Sequence, residues 1–424
     1  MTEANTINLP PVDEVLMQAD FDALAALTEP DRPWTRRSFT PMFLKGREYL
    51  RAAFEKEGLS VRLDEAGNLI GRWQGSDDAA PVLMTGSHSD TVPSGGRFDG
   101  ITGVLSSLAA VRALKKAGYK PRHSIEIVDF LAEEPSEWGL SCVGSRGMVG
   151  ALGTKEFSLI GPDGERLNDA IDRVGGNSSK LGKVLREDVA AFLEIHIEQG
   201  PVLEAKSIPI GIVSGIAGIA RLKVSFEGTA AHAGTAPMTM REDAGLAMAR
   251  FILAVRDAAK AVKERGHFTA TAGIIRVLPG GANVVPGLSE IIIDIRAEQD
   301  GAMDEFLARA PRLAHEAATE EGCVVTDFDI LSRTFAVPCD ERLRAHIAAA
   351  AEDLALETMS LAPGAGHDAA FVARIAPAAM IFVPCVEGKS HCPEEWTETS
   401  EVAKAADILA KTLVRLDSDL GKRL

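Results

Sequence analysis

Cysteine is scarce: five residues (Cys142, Cys323, Cys339, Cys385 and Cys392) in 424, odd in number and without CxxC spacing. That excludes a disulfide framework or a zinc ribbon and suits reduced thiols in a cytoplasmic protein. No apolar run approaches the roughly 20 residues of a membrane span. The opening "MTEANTINLPPVDEVLMQAD" has neither a basic segment nor an apolar core, so it does not read as a signal peptide. Positive charge is also in deficit, with 45 basic against 61 acidic residues and a net charge of −16. Phosphate binding needs a basic face, so nucleic acid is excluded as a partner. A small anionic substrate would need a specific local arginine. Internal repeats and low-complexity segments are missing too. What remains is a globular composition, 46% hydrophobic and 25% charged, in a chain too long for one ordinary core. Two domains are expected.

"PVLMTGS" (81–87), "HSIEIVDFLAEE" (123–134) and "AAFLEIHIEQG" (190–200) read as strands, and "GITGVLSSLAAVRALKKAG" (100–118) as a helix. Strands alternating with helices imply an α/β fold: a mixed, mostly parallel sheet flanked by helices, with active groups at the carboxyl ends of the strands. The pattern restarts near residue 217. "RLKVSFEG" alternates strictly, residues 241–266 form a long amphipathic helix, and two strands, a helix and the strand "CVVTDFDI" follow. This β-α-β-β-α-β order makes residues 217–333 an inserted α+β domain within a discontinuous larger one of residues 1–216 and 334–424.

Four stretches carry chemistry. In "GSHSDTVPSGGRFDG" (86–100), His88 and Asp90 are two apart, so on extended chain both side chains leave the same side. The aspartate can then orient the imidazole; a satisfied turn histidine is the plainer alternative. "FLAEEPSEWG" sets Glu133 and Glu134 directly after an apolar strand. They read either as a solvated strand end or as a cation ligand (Glu134) beside a proton shuttle (Glu133) whose pKa is raised by burial and like charge. "EIHIEQGP" offers His196 and Gln199, and "GKSHCPEEW" offers His391. Among these groups His88, His196 and His391, taken with Asp99 and Glu134, give three imidazoles and two carboxylates, the donors that zinc and similar divalent ions prefer.

These motifs, in this order, resemble the M20-type metallohydrolases, specifically the amidase, hydantoinase and carbamoylase branch. The resemblance runs from about residue 35 to 415. It implies two divalent metal ions per subunit, Zn2+ first, with Mn2+, Co2+ or Ni2+ able to share the sites. Asp99 would bridge them, with His88 and His196 completing one site and Glu134 and His391 the other. Glu133 would be the general base, and Asp90 would orient His88. The inserted domain would be a lid and dimerisation domain of a homodimer, with the partner subunit's His232 steadying an oxyanion.

Gln199, Asn283, Arg296 and Gly366 would complete the substrate contacts. Arg296, on the apolar strand "IIIDIRAE", either grips a substrate carboxylate or pairs with Asp294 or Glu298. His367 and Asp368 adjoin this set, either behind the metal ligands or as pocket wall. The implied reaction is attack of a metal-bridging hydroxide on the carbamoyl carbon of an N-carbamoyl-L-amino acid or related ureido acid. Allantoate, or the ordinary amides of aminoacylases and dipeptidases, are alternative substrates, and a non-catalytic dimeric binding protein is the remote alternative. One departure is "PSEWGLSC", which puts Glu137 and Trp138 where many carbamoylases carry a basic residue near the pocket.

Overall fold

The computed structural model describes residues 8–262, 266–362 and 364–420. The chain forms two compact units. The first comprises the chain up to Ser214, Cys339–Leu361, and the chain from His367 on. The second comprises Gly215–Pro338 and Ala362–Gly366. Inclusion of the short second piece has a local cause, because the Arg296 guanidinium donates to the Gly364 carbonyl.

The first unit is built on an eight-stranded mixed sheet. Its strands, in spatial order, are Ser60–Leu63, Leu69–Trp73, Ile125–Phe130, Val82–His88, Val189–Ile197, Ala378–Val383, Ile210–Val213 and Thr358–Leu361. Ile125–Phe130, Val82–His88, Val189–Ile197 and Ala378–Val383 pair in parallel, while Ser60–Leu63 and Leu69–Trp73 add antiparallel neighbours at one edge. The central strands "VLMTGSH", "IEIVDF" and "AAMIFV" are buried at every position. Strands covered on both faces need such unbroken apolar runs, because neither side meets water. The helix Ile101–Lys116 is correspondingly buried almost all round, down to Ser107, whose Oγ meets Thr85 Oγ1 at 2.9 Å.

Register positions the site. Parallel pairing sets His88 opposite Phe130 and Phe382 opposite His196. It also sets Thr85 opposite Leu193, three residues before each histidine. His88, His196 and the Glu133–Glu134 pair therefore emerge from one end of the sheet.

Sequence reading passed over the N-terminal helices Glu14–Ala26 and Pro41–Lys56. Both carry ordinary caps: Asp13 accepts the Leu16 N–H, and Thr40 accepts that of Phe43 ahead of Pro41.

The second unit is a four-stranded antiparallel sheet in the order Phe268–Leu278, Leu288–Ala297, Gly218–Glu227, Val324–Arg333. Leu288–Ala297 alternates half-buried and buried along its whole length. Its buried Ile291, Ile293 and Ile295 meet Leu222, Val224 and Phe226 from the neighbouring strand and Phe251 and Phe306 from the helices Ala244–Ala261 and Asp300–Glu320. The helix expected over 241–266 is thus seen as Ala244–Ala261; residues 263–265 lie outside the described set. Among the described residues, no helix is long and apolar enough to cross a membrane.

Candidate metal centre

Asp99 stands at the middle of the site, almost fully buried, and its two oxygens face different partners. Oδ1 lies 3.0 Å from His196 Nε2 and 3.7 Å from His88 Nε2. Oδ2 lies 3.0 Å from His391 Nε2, which is itself 3.2 Å from Glu134 Oε1. Two groups result, His88–Asp99–His196 and Asp99–Glu134–His391, and in each the donor atoms all lie within 4.8 Å of one another.

Local backbone explains the convergence. His88 and His196 close their strands. Asp99 follows a glycine-rich loop that returns to the sheet end, and Gly100, at φ 67°, begins the helix Ile101–Lys116. A Cβ at Gly100 would lie 2.3 Å from His88 Cε1, so any larger residue would displace the imidazole. His391 (φ 57°) and Gln199 (φ 55°) both take the left-handed conformation, which costs a non-glycine residue energy. Both side chains reach Asp99 Oδ2, the Gln199 Nε2 at 3.1 Å.

The donor set fits a cation on observations of this structure. His88 Nε2 is buried and lacks a hydrogen-bond partner, while its Nδ1 is 3.0 Å from the Asp90 carbonyl. His196 Nδ1 likewise meets the Ile197 carbonyl at 2.9 Å, which leaves Nε2 facing Asp99. Fixing one ring nitrogen on a carbonyl frees the other to ligate. Three buried carboxylates, Asp99, Glu133 and Glu134, gather here, an arrangement that is costly without compensating positive charge.

The titration directions follow from this crowding. Burial is the largest influence on Asp99 and acts to raise it, yet the bonded His196 and His391 together hold it well below the usual carboxylate range. Burial also opposes charge on His88, but Glu133, Asp90 and Asp99 outweigh it and raise the imidazole well above its ordinary value. His391, bonded to Asp99 and Glu134, is raised to about 11.

Glu133 belongs to neither donor group. Burial pushes its carboxyl well above the ordinary value; His88 opposes the rise, and Glu134, Asp368 and Asp99 add to it. Its Oε2 is 3.6 Å from His88 Nε2 and its Oε1 is 3.7 Å from the Cys142 thiol. The Asp90 carboxylate is placed differently from the sequence expectation. Its Oδ1 takes the Glu133 backbone N–H at 3.2 Å and stands 3.6 Å from His88 Nδ1, beyond hydrogen-bond reach. The backbone carbonyl of Asp90, not its side chain, is the group that holds the imidazole.

Sequence reasoning passed over Glu395, which accepts the N–H groups of Phe98 and Asp99 at 2.8 and 3.0 Å. It stands inside "HCPEEW", and no periodicity marks it out from Glu394. Trp138 turns into the core, edge-on to Phe39 with its Nε1–H on the Glu165 carbonyl at 2.8 Å, so it is not a pocket wall. Glu137 pairs with Arg37 at 2.8 Å.

The second unit holds the other predicted residues. His232 closes the short strand segment Ala231–His232, which pairs with Val284–Val285 and sets His232 opposite Val284; Asn283 stands in the turn just before that second segment, where its carbonyl accepts the Ala233 N–H. His232 is exposed, and its Nδ1 accepts the Gly234 N–H at 3.1 Å, which leaves the proton on Nε2. Arg296 Nε donates to Asp294 Oδ1 at 2.8 Å, the internal pairing expected of residues two apart on one strand face. Gly366 ends the segment that Arg296 holds through Gly364.

Fold and site together define a binuclear metal-dependent hydrolase of carbon–nitrogen bonds. The profile of Peptidase family M20/M25/M40 matches residues 84–415, and the chain belongs to that family. It is 36% identical over 414 residues to a ureidoglycolate hydrolase of Oryza sativa subsp. japonica, covering 96% of this chain and 85% of the rice protein. It is also 36% identical over 387 residues to an N-carbamoyl-L-amino-acid amidohydrolase of Paenarthrobacter aurescens, covering 90% and 93%. Among solved structures, an amidase of the hydantoinase/carbamoylase family from Burkholderia multivorans superposes with a TM-score of 0.89 at 31% identity, covering 96% of this chain and 98% of that one.

Proposed function

We propose that the chain hydrolyses the carbamoyl C–N bond of small ureido acids, N-carbamoyl-L-amino acids foremost. The observation that carries this is the division of labour among buried carboxylates. Asp99 faces both donor groups, Glu134 serves one, and Glu133 remains beside them without a ligand's position. His88, Asp99 and His196 would hold one divalent ion and Asp99, Glu134 and His391 the other, most readily Zn2+, with Mn2+, Co2+ or Ni2+ as alternatives. When bound, the ions would supply Lewis-acid polarisation and lower the pKa of a bound water.

The chain's own groups do the rest. Glu133, its pKa raised by burial, takes a proton from the attacking water and passes it to the leaving nitrogen. The partner subunit's His232 donates its Nε2–H to the developing oxyanion. Gln199, Asn283 and the Gly366 backbone read the ureido and carboxylate ends. Arg296, already oriented by Asp294, meets the substrate carboxylate with its remaining donors. The products are an amino acid, carbon dioxide and ammonia.

A second substrate is favoured by a specific finding. The rice ureidoglycolate hydrolase matches 96% of the chain, so ureidoglycolate stands beside the carbamoyl amino acids. In this reading the second unit is a lid and homodimerisation domain, supported by Ile274 and Ile275 exposed on its edge strand. Five free cysteines accord with a cytoplasmic setting.

Initial rates on N-carbamoyl-L-amino acids, ureidoglycolate, allantoate, N-acyl amino acids and dipeptides, after loading with defined metals, test the proposal. Ureido acids should dominate. Preference for N-acyl amino acids or dipeptides, or full activity after exhaustive chelation, overturns it.

A further inference from the structure

Two loops far apart in sequence supply the two sides of the centre: residues 94–100, with Asp99, and residues 388–396, with His391. One buried side chain joins them. Glu395 is 1% exposed. Its Oε1 accepts the Phe98 and Asp99 N–H groups at 2.8 and 3.0 Å, across about 300 residues of sequence. Its Oε2 accepts the hydroxyl of Ser390, the residue before His391, at 3.0 Å. The first loop is shaped to this carboxylate, because a Cβ at Gly96 (φ 117°) would come within 2.3 Å of Oε1. Aromatic contacts seal the same junction: Trp396 packs edge-on against Phe98 at 5.2 Å, and the Arg97 guanidinium lies 5.2 Å from the Trp396 ring.

A carboxylate this buried is tolerated only when its lone pairs are occupied, and here three donors occupy them. We infer that Glu395 is a positioning residue: it fixes the backbone of the bridging Asp99 and the turn bearing His391 in one register, so that both donor groups converge. It touches no reacting atom. The inference rests on the proposed metal centre.

Hydrogen-bond geometry, not charge, is the asserted property, and side-chain variants separate the two. In Glu395→Gln the amide oxygen still accepts both N–H groups and the amide nitrogen donates to Ser390. Glu395→Asp keeps the charge but is one methylene too short to reach. Glu395→Ala loses both. Zn2+ alone is titrated into each full-length, metal-free variant against a chromophoric chelator, with the unfolding midpoint recorded in excess chelator. Glu395→Gln should bind Zn2+ within about threefold of the parent, whereas Glu395→Asp and Glu395→Ala should bind on the order of 10- to 100-fold more weakly. Should Glu395→Ala fail to fold, Glu395→Asp decides alone. Parent-like affinity in Glu395→Asp refutes the inference, as does weak binding by Glu395→Gln. A parent protein that binds no Zn2+ removes the metal centre itself; a parent that binds while Glu395→Asp matches it removes only this inference.

Discussion

Glu133→Gln gives the sharpest test of the proposed chemistry, because the structure isolates the side chain from everything else the residue does. Its backbone N–H is held by Asp90 Oδ1 at 3.2 Å and its carbonyl accepts the Cys142 N–H at 2.9 Å. The main chain therefore stays in place whatever the side chain is. The carboxylate makes only long contacts, 3.6 Å to His88 Nε2 and 3.7 Å to Cys142 Sγ, so an amide of the same shape fits without breaking a strong bond. It also relieves the repulsion with Glu134, Asp368 and Asp99 that helps push this carboxyl up. The metal-free variant should consequently be no less stable than the parent.

What the amide cannot do is accept a proton. Positioned general bases contribute about 10²- to 10⁴-fold, which corresponds to about 2.7–5.4 kcal/mol on the barrier. Steady-state kinetics on the best ureido acid should show kcat lower by that factor with KM within about threefold. Metal analysis of the same sample should find the parental content, since Glu133 lies outside both donor groups. A kcat within tenfold of the parent would remove Glu133 as the proton carrier. Loss of metal would make it a ligand instead.

Three further outcomes follow from the geometry. After dialysis, His196→Ala and His391→Ala should each retain one ion per chain and Asp99→Ala fewer than one, by metal analysis; two ions in Asp99→Ala would contradict the shared carboxylate. His391 is raised from an ordinary 6.5 to about 11 by Asp99 and Glu134. Its contribution to stability is complete below about 6.5 and lost as pH rises through about 11. Thermal unfolding of the metal-free protein should therefore weaken across that window, whereas the loaded protein, with His391 already deprotonated to ligate, should lack this slope. A flat metal-free profile would refute the pairing. Trp138→Ala should cost about 3–5 kcal/mol in denaturant unfolding as a core aromatic while leaving the ranking of ureido substrates unchanged; a changed ranking would return Trp138 to the pocket.

How far the sequence reaches depends on the kind of signal. Strands such as "AAMIFV" stand out because burial on both faces demands an unbroken apolar run, and Leu288–Ala297 because one buried face demands alternation. Ser60–Leu63, Ile210–Val213 and Thr358–Leu361 offer four residues each, too few for either pattern to rise above chance. Their places at the sheet margins are fixed by tertiary pairing. The second unit's extra segment, Ala362–Gly366, is equally silent, since its attachment includes a guanidinium–carbonyl contact formed across 68 residues of chain.

The site divides along the same line. Ligand types can be read from residue chemistry at strand ends, because a histidine or glutamate closing a buried strand must be compensated by something. Which atom does the compensating is a matter of register and rotamer, and there spacing alone misleads. Residues two apart on extended chain share a side, which holds for His88 and Asp90 and for Asp294 and Arg296 alike. Yet the Arg296 guanidinium takes the Asp294 carboxylate at 2.8 Å, while His88 takes the Asp90 main chain and leaves that carboxylate to Glu133. The difference lies in what else competes. Arg296 is half-exposed, and its strand mate is the nearest acceptor. Asp90 sits buried where the backbone of the proposed base also needs a partner, and an unpaired buried N–H would cost more than a lengthened contact to an imidazole that a carbonyl already holds. Glu395 obeys the same rule: it is defined by two backbone donors that exist only once the Asp99 loop has closed.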